Sequence, residues 1–462
     1  MKLSIIHTND IHSNFTNFAR AVTVIKQYKQ EHTLLLDGGD FADFKSIELQ
    51  GTKGIAALEL LDSVGYDALT IGNNEMFNGV DTLENMASNS HFPFISNNLL
   101  KKDLTPIKGV HTSTIINKNG LRILITGSSP NLGDFCDGLG ISMSPFKEAI
   151  KKEIERNHGA YDICILLSHL GTFEDEVLAT EIPEIDIIIS AHDHKLYSEA
   201  RIIDNTIMNS AGNYAEHVGI VDLEIADGKI TLLHAETIAT NTFEPDNEIL
   251  SILHTNKEKA IQVLSQPLYR ITKPLWHDVV EENPLSNLIA DGLKDMLNCE
   301  IGLINSGICN AGLFDHISKK KLIEICPSPL NPTSFEIQGK HLKEAIIQSI
   351  DSQMNLVDGR GPGFRGRFLG KLHVSGAEII HDGSTVHEIY IGNEPLDAER
   401  WYTVASSDYL QRGTGYQSLA QNRNEKYLAE EIKDVILLYA DKEVYLEKAY
   451  QNRWTDKLAI KN

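Results

Sequence analysis

The chain is poor in cysteine, in positive charge and in long apolar runs. Its five cysteines (Cys136, Cys164, Cys299, Cys309 and Cys326) are odd in number, scattered through 462 residues and never spaced CxxC. That spacing excludes a disulfide framework or a zinc ribbon as the organising device. Lys and Arg total 42 against 64 Asp and Glu, a net charge of −22. A protein that holds a nucleic-acid polymer presents a basic face, and no basic tract is evident, so no such partner is expected. No apolar run approaches the roughly 20 residues that a membrane helix needs, so no membrane partner is expected either. The opening "MKLSIIHTND" has only four apolar positions before a polar cluster. That is too short for the apolar region of a secretory signal, and a cytoplasmic location is the expectation. The acidity also repels small anions in bulk, so an anionic ligand would need local cations.

What the chain does have is regular alternation. In the first half, the short apolar runs "KLSIIH", "TLLLDGGD", "DALTIGN", "DICILLSH" and "IDIIISAH" alternate with segments such as "FARAVTVIKQYKQ" and "GIAALELLDSV", whose apolar residues recur at helical spacing. Strand-helix alternation predicts an α/β layered domain over residues 1–241. The runs "RIIDNTIMN" and "VGIVDLEI" read as closing antiparallel strands. Residues 242–268, framed by prolines and carrying a helical period, read as a linker helix. Beyond it, helical segments such as "NPLSNLIADGLKDML" mix with strands such as "WYTVASSDY", which predicts an α+β domain over 269–462.

The five apolar runs share a feature: each ends in residues able to bind metal. The first supplies Asp10 and His12, the second Asp40, the third Asn73, the fourth His169, and the fifth His192 and His194. In a parallel α/β sheet all strand C-termini open onto one edge, where such folds place their ligands. In "DIH" and "HDH" the two donors stand two residues apart, on the same side of an extended chain. One strand-end histidine is usually structural, and one strand-end Asp is usually a helix cap. Five consecutive strand ends with donors are not explained that way. His7, inside the first strand signal, reads as structural. Mixed His and carboxylate donors without Cys suit Mn, Zn, Fe or Co. Seven donors exceed one site and fit two divalent ions that share a carboxylate, about 3.5–4 Å apart.

These motifs carry a resemblance. "HTNDIHSN", "LLLDGGDF", "TIGNNE", "LLSHLG" and "SAHDHK" resemble, in order, the metal motifs of the calcineurin-like metallophosphoesterases, and most of all their 5′-nucleotidase branch. "ENPLSNLIADGL", "SFEIQGKHLKEAI" and "WYTVASSDYLQRGTGY" resemble that branch's C-terminal domain. The resemblance implies a four-layer α/β/β/α catalytic domain followed by a substrate-binding domain. It implies that Asp10, His12 and His194 hold one metal, that Asn73, His169 and His192 hold the other, and that Asp40 bridges them. It further implies hydrolysis of a phosphate ester, typically a nucleoside 5′-phosphate, by a metal-bound hydroxide. Some relatives open 2′,3′-cyclic nucleotides or cleave nucleotide sugars instead. The implied partner is a small-molecule phosphate ester.

The departures matter as much. The family usually reads Gly-Asn-His-Glu followed closely by Asp, and here the His position is Asn74 and the Asp position Phe77. Asn can donate a neutral hydrogen bond to a phosphoryl oxygen but cannot supply a proton. Asn74 is therefore the candidate catalytic residue whose chemistry is reduced, and an inactive metal- and nucleotide-binding protein is a competing reading. Glu75 reads as support for the turn. Cys309 falls near the position of a phosphate-gripping Arg and reads as a small buried residue. The loop "GRGPGFRGRF" offers Phe364 as a stacking residue and Arg365 as an anion contact, and Tyr416 in "RGTGY" is a second stacking candidate.

Overall fold

The alternating faces of each strand decide the architecture of the first unit, Met1–Gln262. In this computed structural model, which describes residues 1–457 apart from 134, 227 and 362, the unit contains two large sheets. In one, the parallel strands Lys2–Thr8, Thr33–Asp37, Ala68–Thr70, Phe94–Ile95 and Val110–His111 follow in order, with His217–Ala226 added antiparallel to Lys2–Thr8 and Lys229–Ala239 outside it. In the other, Leu121–Ser128, Ile163–Ser168, Ile187–Ser190 and Thr206–Asn209 run parallel, flanked by the antiparallel edge strands Ser113–Lys118 and Arg201–Ile203.

One face of each sheet packs against the other sheet. Leu3, Ile5, Leu34 and Leu36 meet Ile123, Ile125, Ile163, Ile165, Ile187 and Ile189 in one buried cluster. The intervening residues Leu124, Cys164, Leu166, Ile188 and Met208 turn to the opposite face and pack with Ile150 and Ile154 of helix Phe146–Arg156 and Leu178 of helix Thr172–Glu181. Period-two alternation with both faces apolar is what a sheet covered on both sides requires. The layers are therefore α/β/β/α.

"RIIDNTIMN" departs from the antiparallel expectation. Its first half is an antiparallel edge strand, but Thr206–Asn209 pairs parallel to Ile187–Ser190. Its C-terminus thus opens on the same edge as the metal-motif strands. The segment expected to link the domains forms the helix Asn247–Leu264 and packs on the first unit. Ile249 and Ala260 are fully buried, Asn256 donates to Glu59 at 2.7 Å, and a Cβ on Gly51 would lie 2.4 Å from Ala260.

The second unit, Val263–Asn462, is α+β. It holds a five-stranded sheet, in the order Leu372–Ser375, Ile301–Asn305, Trp401–Ser407, Pro332–Gln338, Asn422–Tyr427, and a smaller four-stranded sheet. Helix Pro284–Met296 starts at Asn283, whose side chain accepts from the Ser286 N–H, and Pro284 occupies the first turn, where its missing N–H costs nothing. This helix contributes Leu285, Leu288, Ile289 and Leu293 to the unit's core.

Candidate metal centre

The strand-end loops of the first unit are held together by backbone pairing. The Asp10 N–H donates to Gly39 O at 2.9 Å, His12 N–H to Asp40 O at 2.8 Å, and Ser13 N–H to Phe41 O at 3.0 Å. Buried Asp37 anchors both loops, accepting from Thr8 Oγ1 at 2.6 Å and from the Gly39 N–H at 2.9 Å. Glu75, with no exposed surface, accepts from the N–H groups of Asp40 (3.0 Å), Ala42 (2.8 Å) and Gly72 (2.9 Å). It ties the second and third loops without reaching the site. Gly72 is required by proximity, since a Cβ there would lie 2.1 Å from Asp40 Oδ1.

These loops bring all seven predicted donors together. His12 Nε2 stands 3.9 Å from Asp10 Oδ1, 3.7 Å from Asp40 Oδ2 and 3.0 Å from His194 Nε2. His169 Nε2 lies 3.4 Å from Asp40 Oδ2 and 3.8 Å from Asp10 Oδ1. His192 Nδ1 faces Asn73 Oδ1 at 3.0 Å, and the His192 ring lies 5.1 Å from that of His169. Two sets of donors each lie within 4.8 Å: Asp10, His12 and His194, and Asp10, Asp40 and His169. Asp10 belongs to both sets. Asp40 Oδ2 sits between His12 and His169, the histidines that the resemblance assigns to different ions.

The backbone is strained where the donors sit. Asp10, His12, Asp40, His192 and His194 all have left-handed φ, between 48° and 83°. Non-glycine residues avoid that region, and clusters of such residues mark places where side-chain aim outweighs backbone preference. Electrostatics agree. Burial alone would lower the His169 pKa, but the Asp40 and Asp10 carboxylates raise it to about 10. Burial and the Asp40 charge push Asp10 up to about 6, against the pull of His169. Burial pulls His12 down to about 4, with His194 adding to the effect. Two buried carboxylates in one pocket favour a cation between them. His169 Nε2 is buried with no hydrogen-bond partner, as a nitrogen reserved for a metal would be. The donor set therefore fits two divalent ions: two carboxylates, an amide oxygen and four imidazoles, with no thiolate.

Supporting residues complete the picture. Asn213 meets His194 Nδ1 at 3.0 Å, and His169 Nδ1 meets Gly38 O at 2.7 Å. Asn9 donates to Asp10 at 2.9 Å. Tyr214 packs its ring 5.6 Å from His12 and 6.0 Å from His194. Sequence reasoning missed Asn213 and Tyr214 because their strand, Thr206–Asn209, was read as antiparallel. Its parallel pairing with Ile187–Ser190 puts them at the ligand edge.

Three expectations need correction. Asn74, the candidate catalytic residue, turns its side chain onto two of the metal-ligand candidates. Its Nδ2 donates to Asp40 Oδ2 at 2.6 Å and meets His12 Nδ1 at 3.1 Å, and its backbone N–H donates to Asp40 Oδ1 at 2.8 Å. The side chain is held against Asp40 and His12, so Asn74 is placed to position these two ligands. Phe364 is 6% exposed and stacks on Tyr409 with ring centroids 4.6 Å apart. Tyr416 is fully buried, its hydroxyl donating to Gly370 O at 2.8 Å. Both belong to the core of the second unit and present no face for stacking. Arg365 is exposed, its guanidinium donating to Phe364 O at 3.2 Å. Phe368 is half-buried, with the Arg367 guanidinium 4.9 Å from its ring centre; Pro362 lies outside the described residues. Cys309 is 2% exposed in that core.

Comparison with known proteins agrees with this geometry. Residues 3–196 match the model of the calcineurin-like phosphoesterases, and residues 262–421 that of the 5′-nucleotidase C-terminal domain. An uncharacterized metallophosphoesterase of Bacillus subtilis, YunD, is 30% identical over 456 residues, spanning 94% of this chain and 98% of that protein. The chain belongs to the calcineurin-like metallophosphoesterases. A 5′-nucleotidase of Diplobatis ommata is 27% identical, spanning 92% of this metallophosphoesterase and 85% of that protein. The solved NAD nucleotidase of Haemophilus influenzae shares the fold, with a TM-score of 0.69 at 14% identity over 99% of this chain and 97% of that one. The family consists of metal-dependent phosphoric ester hydrolases that use two divalent ions.

Proposed function

We propose that this metallophosphoesterase hydrolyses nucleoside 5′-phosphates or closely similar small phosphate esters. The carrying observation is the convergence of Asp10, His12, Asp40, Asn73, His169, His192 and His194 from the strand ends of both sheets, together with a 5′-nucleotidase C-terminal domain. Two ions bound there supply Lewis acidity to the phosphoryl group and activate water. The protein's part is to hold the donors and keep them aimed. Glu75 and Asp37 fix the loops, Asn74 orients Asp40 and His12, and Asn213 orients His194. In this reading Asp10, His12 and His194 hold one ion, Asn73, His169 and His192 the other, with Asp40 between.

One observation favours substrates with good leaving groups. Asn74 carries no labile proton and is already engaged, and Phe77, 41% exposed, replaces the acid that usually follows. Without proton donation, an ester whose leaving group is stable as an anion reacts most readily. Nucleotide-sugar or cyclic phosphodiesters are therefore the second reading. We also infer a cytoplasmic location, because four of the five cysteines are buried thiols outside any disulfide.

The test is phosphate release by the purified Mn²⁺-loaded chain from a panel of mononucleotides, cyclic nucleotides and nucleotide sugars, with Asp40→Asn as control. Turnover of mononucleotides, lost by about 100-fold or more in Asp40→Asn, is expected. Nucleotide binding without any turnover would overturn the enzymatic reading.

A further inference from the structure

A cleft of about 350 Å³ opens within the first unit, beside the metal centre. It lies between the start of helix Phe15–Tyr28, the loop after Thr33–Asp37, and helix Asn247–Leu264. Phe15 and Leu253 are its apolar lining residues. Lys45, Lys257, His254 and Thr16 also line it. Glu48 is the lining acid, and its carboxylate accepts from Ser46 Oγ at 2.6 Å.

The cations stand out on a chain with net charge −22. Lys45 has an ion pair with Asp43 at 2.9 Å and His254 Nε2 lies 3.3 Å from Glu258, whereas Lys257 has no ion pair among the described residues. Lys259, two residues along the same helix, instead pairs with Glu59 at 3.7 Å outside the cleft. Lys45 also links the cleft to the metal centre. Its Nζ lies 5.8 Å from the ring of Tyr214, and that ring lies 5.6 Å from His12. One aromatic ring thus separates this lysine from a metal-binding histidine.

Two lysines and two apolar side chains lining one cleft match a ligand with an anionic group attached to a ring or sugar. Both features occur a short distance from where a phosphoryl group would sit. We propose that the cleft is an anion subsite that receives a second phosphate of the substrate, so that esters with two separated phosphate groups are preferred to simple monophosphates. The inference rests on the phosphoesterase reading and names its substrate class more closely.

The test compares kcat/KM for adenosine 3′,5′-bisphosphate and adenosine 5′-monophosphate on the Mn²⁺-loaded full chain. The wild type is expected to favour the bisphosphate. Lys45→Ala and Lys257→Ala should each reduce that preference by about 10-fold, the scale of one charge-assisted contact, and Lys257→Glu by more. Lys259→Ala, outside the cleft, should leave the ratio as it is. A wild type without the preference, or ratios unchanged in the Lys45 and Lys257 variants, overturns the subsite while leaving the phosphoesterase intact. Should neither compound be turned over, the phosphoesterase reading fails by itself, and calorimetry on the same proteins decides the subsite. Bisphosphate binding weakened about 10-fold by Lys257→Glu supports it, and equal affinities refute it.

Discussion

Asn74→Ala is the substitution with the sharpest expected outcome. In the wild type the Asn74 amide nitrogen is 2.6 Å from Asp40 Oδ2 and 3.1 Å from His12 Nδ1. Alanine keeps the backbone N–H bond to Asp40 Oδ1 but removes both side-chain contacts. A hydrogen bond to a charged group contributes about 1.5–3 kcal/mol. Groups that orient metal ligands from behind typically govern 10–100-fold in metal affinity. The two scales agree, since about 1.4 kcal/mol is tenfold. Asn74→Ala should therefore weaken Mn²⁺ binding by about 10–100-fold, measured by competition with a chromophoric chelator, and kcat should largely recover at saturating Mn²⁺. Asn74→Asp should weaken it further at low pH, where the paired carboxylates compete for protons. A variant that binds Mn²⁺ like the wild type but has a depressed kcat would refute the positioning role, because Asn74 would then act on the substrate.

Two further predictions address the second unit and the sheet. Tyr416→Ala should destabilise the protein by about 3–5 kcal/mol, as for loss of a buried aromatic, while Tyr416→Phe should cost about 1 kcal/mol for the lost hydroxyl bond; urea unfolding measures both, and a Tyr416→Ala protein of wild-type stability with raised KM would restore the stacking role. Asp175 is fully buried, its carboxyl accepting from Ser168 Oγ, and burial raises its pKa to about 7. The folded state thus keeps a proton that the unfolded chain releases near the ordinary 3.8, so this group's contribution to stability falls as pH rises from about 4 to about 7. Asp175→Asn removes that dependence, and its melting temperature relative to wild type, measured with chelator present, should rise from pH 5 to pH 8; an equal difference at both pH values would count against it.

Much of the candidate site was legible because metal chemistry restricts residue type more than folding does. Donors at five strand ends, with "DIH" and "HDH" spaced two apart, require parallel strands whose C-termini meet, and the structure meets this with three strands of one sheet and two of the other. Hydrophobic alternation predicted those strands. Asn213 and Tyr214 were not legible because they follow a strand whose direction is set by its neighbour, not by its own sequence. The fate of Phe364 and Tyr416 was equally hidden. An aromatic in a glycine-rich loop looks the same in sequence whether the loop exposes it or folds it into the core, and the packing of Phe364 on Tyr409 decided the matter.

Asn74 draws the line most clearly. From sequence alone it is a residue that cannot donate a proton, and that follows from its chemistry wherever it points. The tertiary structure decided what it does instead. Gly72 lets the third loop approach Asp40 closely, and Glu75 ties the two loops, so the amide reaches the carboxylate and the His12 imidazole. The types of donor, their spacing and the missing acid belong to the sequence, because they are properties of side chains and of strand geometry. Which groups meet, which are buried and which cations gather beside the centre depend on contacts between residues far apart in the chain, and only folding creates those contacts.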